Sequence, residues 1–174
     1  TLDADLPEKD AIIAVRDYLA GKVYSNGNIE EYSPLSKIIF LILQEFSMLK
    51  DDFKRFAQNI YQAKLLALEI NQREFELFCD LLIGFAYSRK GLYDKAEYIY
   101  NDVLDIAEQS AMFNIMLIAK YFISKLKIET SKYEEALLVV NDSLSAISKY
   151  GNAAKILYAL FENQYIQLAQ TQQL

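Results

Sequence analysis

The segment GFAYSRKGLYDKAEYIYNDVL, residues 84–104, decides the fold. Gly91 stands near its middle, between two stretches in which apolar residues recur every three or four positions. That spacing is typical of amphipathic helices, and a glycine directly after Lys90 is a common C-terminal stop. The segment therefore predicts the end of one helix, a short turn and the start of the next helix.

The pattern of this segment recurs on both sides of it at a spacing of 40 residues. The aligned sets are Leu43, Ile83 and Ile123; Gln44, Gly84 and Ser124; Phe53, Tyr93 and Tyr133; Phe56, Ala96 and Ala136; and Ile60, Tyr100 and Val140. Charged pairs align at 54–55, 94–95 and 134–135. Because one helix pair cannot bury its apolar face alone, such a period predicts stacked helix pairs that share a core.

Helix breaks can be assigned from the local signals. Asn71 with Glu74, and Ser131 with Glu134, have the spacing of a capping box at a helix start. The predicted helices cover residues 8–20, 34–49, 51–70, 72–90, 92–109, 111–129, 132–149 and 152–172, with a loop at 21–33 that contains the turn dipeptide Asn26-Gly27. With only 5 glycines and 2 prolines, the composition also favours helices over turn-rich β-structure.

The middle unit resembles the tetratricopeptide repeat (TPR). In that family small residues stand where two helices cross closely, and large residues fill fixed packing positions. The matching positions here are Gly84 and Ala96, then Tyr87, Tyr93 and Tyr100, with Tyr133 and Ala136 in the last unit. The chain departs from the family in its period of 40 rather than 34 residues and in Glu108, which replaces the closing proline.

The resemblance implies an all-α fold, a right-handed stack of antiparallel helix pairs with about eight helices. Residues 1–33 would form an N-terminal helix and loop, 34–150 three TPR-like pairs, and 151–174 a C-terminal capping helix. Glutamines 164, 167, 170, 172 and 173 would give that last helix a polar outer face.

The resemblance also implies a concave groove lined by the first helix of each pair. Its positions carry over as Ile38, Leu41, Glu45, Met48 and Leu49; Phe78, Leu81, Phe85, Ser88 and Arg89; and Ile118, Tyr121, Lys125, Ile128 and Glu129. Most of these residues are apolar, which favours an amphipathic helix or apolar segment of another protein as the ligand. Alternatively, a terminal helix fills the groove, its residues are core, and binding moves to the convex face or the 21–33 loop.

Residue types argue against catalysis and against nucleic-acid binding. The chain has no histidine, which removes the commonest general base and zinc ligand. Cys79 is the single cysteine, and it lies among apolar residues of a predicted helix, as an inert thiol would. The net charge is −6 and the sequence contains no basic stripe that could bind the phosphate backbone of a nucleic acid. We expect no cofactor, no metal and no enzyme activity.

The function predicted from these patterns is a protein-binding scaffold, an assembly subunit of a bacterial multiprotein complex. The alternative is a peptide-sensing TPR regulatory domain. The abundance of Ile, Lys, Asn, Tyr and Phe is typical of an AT-rich bacterial genome. Taken as a whole, and not through any single motif, the chain also resembles repeat domains of spirochaetal flagellar-motor collar proteins. No apolar run is long enough to span a membrane, and the compartment, cytoplasmic or periplasmic, stays open, as does a tether outside this sequence.

Overall fold

The computed structural model describes residues 53–149 and 155–172, and every regular element in those ranges is an α-helix. The helices are α1 Phe53–Glu69, α2 Arg73–Arg89, α3 Tyr93–Gln109, α4 Phe113–Glu129, α5 Tyr133–Ser148 and α6 Lys155–Gln172. Each lies inside a predicted interval, which confirms the all-α prediction for the described part of the chain. The helices predicted at 8–20 and 34–49, the loop at 21–33 and the predicted boundary at 150 lie outside the described residues.

The first five helices begin at a constant interval of 20 residues, and three residues join each helix to the next. The middle residue of every turn has a positive φ angle. These residues are Asn71 at 54°, Gly91 at 72°, Ala111 at 53° and Ser131 at 61°. A left-handed residue after the last helical turn ends a helix sharply, so each of these helices ends at the same point of the repeat.

Backbone hydrogen bonds show why the turns are so short. At the α3–α4 turn, the N–H of Met112 donates to the carbonyl of Ala107 at 2.8 Å, and the N–H of Ala111 donates to the carbonyl of Glu108 at 3.3 Å. The same pair of bonds recurs after α1 and after α4. This is the Schellman arrangement, and it satisfies carbonyls that a helix end would otherwise leave unpaired.

The capping boxes predicted at Asn71 and Ser131 are therefore wrong. Both residues end the preceding helix in the left-handed conformation, and the following helices begin from Gln72 and Lys132 without a side-chain cap. The carbonyls of those two residues accept the first helical hydrogen bonds, from Glu76 and Ala136. Asn tolerates the left-handed region better than most residues, which explains why it can serve here as a terminator rather than a cap.

Helices α1, α3 and α5 each bury one narrow stripe, and the stripe occupies the same four positions in all three. The buried sets are Phe56, Ile60, Ala63 and Ala67; Ala96, Tyr100, Val103 and Ala107; and Ala136, Val140, Ser143 and Ile147. The charged pairs at 54–55, 94–95 and 134–135 are exposed in each helix. Burial thus repeats with the predicted period of 40 residues.

Helices α2 and α4 are buried on more than one face. Their apolar residues surround the helix axis instead of following one stripe, which is typical of a helix enclosed by others. Helix α4 packs against α3, α5 and α6, and α2 packs against α1. The repeat therefore alternates a half-exposed helix with an enclosed one.

The chain divides into two compact units, Thr1–Gly91 and Leu92–Leu174. In the first, the described helices α1 and α2 pack as a hairpin, and Lys64 Nζ donates to Asp80 Oδ1 across it at 2.7 Å. In the second, α3 to α6 pack in sequence, and α6 contacts both α5 and α4.

The polar outer role predicted for the glutamines of the last helix is wrong for one of them. Gln164 is buried and faces α4, where Ser124 Oγ donates to its Oε1 at 2.6 Å. Gln167, Gln170 and Gln172 are exposed, and Gln173 lies outside the described residues. A glutamine can be buried here because it also donates from Nε2 to the carbonyl of Tyr121, so both ends of its amide are satisfied.

Candidate protein-interaction surface

The predicted groove residues on α2 and α4 are largely buried in the structure. Phe78, Leu81 and Phe85 on α2 and Ile118 and Tyr121 on α4 all have exposed fractions of 7% or less. Ser88 is also buried, Lys125 and Ile128 are half-buried, and Arg89 and Glu129 are exposed. Ile38, Leu41, Glu45, Met48 and Leu49 lie outside the described residues. Among the described apolar members of this set, Ile128 alone is partly exposed, and the others are buried.

Helix α6 accounts for part of this burial on α4. The ring of Tyr121 meets the ring of Phe161 edge to face at 6.1 Å between centroids. The hydrogen bonds from Ser124 to Gln164 and from Gln164 to Tyr121 join the same two helices. This arrangement agrees with the alternative in which a terminal helix packs into the groove.

The residues predicted to pack between repeats differ in how deeply they are buried. Gly84, Ala96 and Ala136 are buried, as is Tyr100, whose ring stacks on Phe122 at 5.5 Å. Half-buried Tyr87 contacts Phe53 at 6.3 Å between ring centroids, and Tyr133 is also half-buried. Tyr93 is 40% exposed, so its ring does not fill a core position. It is the first residue of its helix, where the buried stripe has not yet begun.

A large exposed apolar stripe lies on α1, opposite its buried stripe. Tyr61, Leu65 and Leu68 follow the i, i+4, i+7 spacing of one helix face, and they are 54%, 44% and 45% exposed. This stripe was not among the surfaces predicted from the sequence. The sequence does contain a signal for this stripe. A helix with a single buried face carries its apolar residues on that face, whereas α1 carries them on two faces.

Two further exposed apolar side chains occupy equivalent positions of the repeat. Tyr98 on α3 is 73% exposed, and Leu138 on α5, 40 residues later, is 71% exposed. Each stands two residues after the buried alanine of its helix, on the far side of the helix from the core. An exposed apolar residue thus recurs at this position in two helices of the second unit, whereas α1 has Gln58 there.

Burial is the main influence on the pKa values of the titratable groups in the described interior. Burial, together with the neighbouring Asp80 carboxylate, raises the pKa of Cys79 to about 12, so its nucleophilic thiolate is suppressed. Burial also raises the pKa of Asp80, an effect opposed by its hydrogen bond from Lys64, and raises that of the Tyr100 hydroxyl. Among the described residues, no cluster of His, Cys, Asp and Glu could hold a metal ion.

The described helices also include none that is both long enough and apolar enough to cross a bilayer. In comparisons with known proteins, the chain matches no family model, no curated protein and no solved structure. The TPR resemblance consequently stays a prediction, supported by the repeated burial pattern described above.

Proposed function

We propose that this chain is a non-catalytic, TPR-like scaffold that holds another protein through the outer faces of its repeated helices. The observation that carries the proposal is the exposed stripe of Tyr61, Leu65 and Leu68 on α1. A partner that covered these three large apolar side chains would gain binding free energy of roughly 25 cal/mol per Å² of apolar surface removed from water. An amphipathic helix or apolar segment is the partner that fits such a row.

Repetition supports a scaffold over a single binding site. The half-exposed helices α1, α3 and α5 share one buried pattern, which leaves their outer faces free to differ. Those outer faces do differ, since α1 carries the apolar stripe, α3 exposes Tyr93 and Tyr98, and α5 exposes Leu138 among polar residues. The architecture we propose is a right-handed stack of three such helix pairs. It would serve as an assembly subunit of a bacterial complex such as a flagellar motor.

The peptide-sensing alternative needs a groove open to a short peptide. The described apolar residues of that groove are buried apart from the half-buried Ile128, so no observation favours the sensor. A ligand that binds only the folded state must raise its stability. A thermal-shift screen with short peptides would therefore reveal a sensor, whereas the scaffold proposal expects no such shift.

The scaffold proposal is tested on the α1 stripe. A photo-crosslinking amino acid is placed at Gln62, an exposed neighbour of the stripe, and crosslinked partners are identified by mass spectrometry from the native cell. We expect one dominant protein partner, lost in the Tyr61→Asp/Leu65→Asp variant and retained in the Gln170→Asp control, which adds a carboxylate at an exposed position of α6. Equal capture by both variants would show that the stripe does not bind. Circular dichroism checks that the two variants stay helical.

A further inference from the structure

One lysine of α4 lies close to a carboxylate of α3 and to a carboxylate of α5. Lys127 Nζ on α4 lies 3.8 Å from Glu97 Oε1 on α3 and 2.5 Å from Glu135 Oε2 on α5. Glu97 directly follows the buried Ala96, and Glu135 directly precedes the buried Ala136. The two helices therefore turn opposite flanks of their buried stripes toward the same cation, as expected for parallel neighbours whose outer faces share one side of the unit.

Tyr98 and Leu138 are the apolar centres of this shared face. Each stands two residues after the buried alanine, about 200° around the helix from it, which places both side chains on the outside. They are the two most exposed large apolar residues of the described chain, at 73% and 71%. Because they are equivalent in the repeat, a single extended partner can contact both.

The charge around these two residues is strongly negative. Helix α3 carries five carboxylates and one lysine, and α5 carries three carboxylates and no cation. The carboxylates of Glu97, Glu135 and Asp142 are paired with lysines of α4. Among the described residues, no ion pair or hydrogen bond satisfies the exposed carboxylates of Asp94, Asp102, Asp105, Glu108 and Glu134.

We infer that the outer faces of α3 and α5 form a docking surface for a basic amphipathic helix of a partner protein, anchored on Tyr98 and Leu138. Lysines or arginines of that helix would pair with the unpaired carboxylates, and its apolar side chains would cover the two anchors. Complementary charge selects this occupant over an acidic or neutral helix. A second copy of the chain is a poor occupant, because two faces of like charge would repel each other.

The inference rests on the proposed scaffold function and adds a second surface with its own partner chemistry. Its test uses a fluorescent peptide of about 18 residues, ~27 Å long as a helix, built from Leu on one face and Lys on the other. Fluorescence anisotropy measures its binding to the full chain at low and high salt. Two control peptides have the same lengths, one with the Lys and Leu positions scrambled and one with Glu in place of Lys.

Two protein variants address the two parts of the surface. We expect Tyr98→Ser/Leu138→Ser to weaken binding by about fivefold or more, because both anchors are lost. We expect Asp102→Asn/Asp105→Asn to weaken binding by about threefold to tenfold at low salt, and to reduce its salt dependence. The matched control, Glu69→Gln/Glu162→Gln, removes two exposed carboxylates from α1 and α6 and should bind as the parent chain does.

Several outcomes would overturn the inference. These are equal binding of the scrambled or the acidic peptide, unchanged binding by the Tyr98→Ser/Leu138→Ser variant, and a concentration-dependent dimer in sedimentation that this variant abolishes. The Tyr61→Asp/Leu65→Asp variant separates the two proposals. If it alone loses the peptide, the peptide binds α1, so the present inference fails while the scaffold proposal stands.

Discussion

At the scale of single residues, the left-handed turn residue is the most repeated feature of the chain. Four turns place a residue at positive φ, and three of those residues are not glycine. For a residue with a Cβ atom this conformation costs roughly 1–2 kcal/mol. The chain accepts that cost at Asn71, Ala111 and Ser131 and avoids it at Gly91.

This difference predicts opposite effects for two reciprocal substitutions. A Cβ atom at Gly91 would meet nothing within 4 Å, so Gly91→Ala costs only backbone strain. We expect Gly91→Ala to lower the free energy of unfolding by about 0.5–1 kcal/mol and Ala111→Gly to raise it by a similar amount. These changes are smaller than the full backbone strain, because alanine also reduces the conformational entropy of the unfolded chain relative to glycine. Urea unfolding followed by circular dichroism measures both. A stabilising Gly91→Ala would contradict the argument.

Cys79 provides a second prediction at this scale. Its side chain is fully buried and its pKa is raised to about 12, chiefly by burial. We expect a disulfide-exchange reagent such as DTNB to leave the native thiol unreacted at neutral pH and to label it rapidly in denaturant. The labelling rate should then follow local or global unfolding. Reaction of the native protein at the rate of a free thiol would show that the site is open.

At the scale of elements, a small residue begins the buried stripe of α3 and of α5. Ala96 and Ala136 are fully buried where the first unit has Phe56. The neighbouring helices approach closely at an alanine, whereas a phenylalanine needs space around it. Local packing distance is thus set by one position of the repeat.

Enlarging that position should destabilise the fold. We expect Ala96→Leu to lower the free energy of unfolding by about 1–3 kcal/mol, because a larger side chain at a fully buried position forces its neighbours to shift. The same change at the exposed Asn101 of α3 should stay within about 0.5 kcal/mol. Thermal and urea unfolding of the two variants are compared side by side. Equal effects at both positions would mean that Ala96 does not mark a close helix contact.

The stability contributed by the ion pair of Lys127 and Glu135, which joins α4 to α5, should depend on pH. A hydrogen bond from Lys127, and its positive charge, lower the pKa of Glu135 below the ordinary value of 4.5. A lowered pKa contributes stability that is present above the ordinary value and is lost as pH falls through the lowered one. We therefore expect Lys127→Gln to be less stable than the parent near neutral pH, with the difference shrinking in acid. A difference that grows as pH falls would reverse the sign and refute the linkage.

At the scale of the whole molecule, the chain consists of two compact units. The second unit contains four described helices, with α4 enclosed by α3, α5 and α6. Its interior includes the stacked rings of Tyr100 and Phe122 and the bonded pair of Ser124 and Gln164. Repeat proteins gain stability from such nearest-neighbour contacts, so a part of the array can retain its structure.

The second unit should consequently fold by itself. We expect residues 92–174, expressed alone, to show helical circular dichroism and a cooperative thermal transition. Gln164→Ala, which leaves the Ser124 hydroxyl without this buried partner, should lower the midpoint of that transition. The exposed change Gln170→Ala provides the control. A fragment without a cooperative transition would show that the second unit depends on the first.

The sequence allowed the helices and their period to be predicted, because apolar spacing and the 40-residue alignment both follow from burial on one helix face. The start signals at Asn71 and Ser131 were misread, since the same residue types suit a cap and a left-handed terminator. Whether the predicted groove is open could not be inferred from a single sequence. Whether Phe85 or Tyr121 is exposed depends on which helices pack around it, and helix α6 reaches α4 through tertiary contacts that periodicity does not encode.

The constant interval between helix starts restricts how the gene can change in length. One inserted codon within α3 would rotate every later residue of that helix by about 100°, moving Tyr100 and Val103 out of the interior. A duplication or loss of 40 codons keeps each stripe aligned with its neighbours. Viable length variants among relatives of this gene should therefore differ by whole helix pairs, as expected from unequal recombination between similar stretches of DNA.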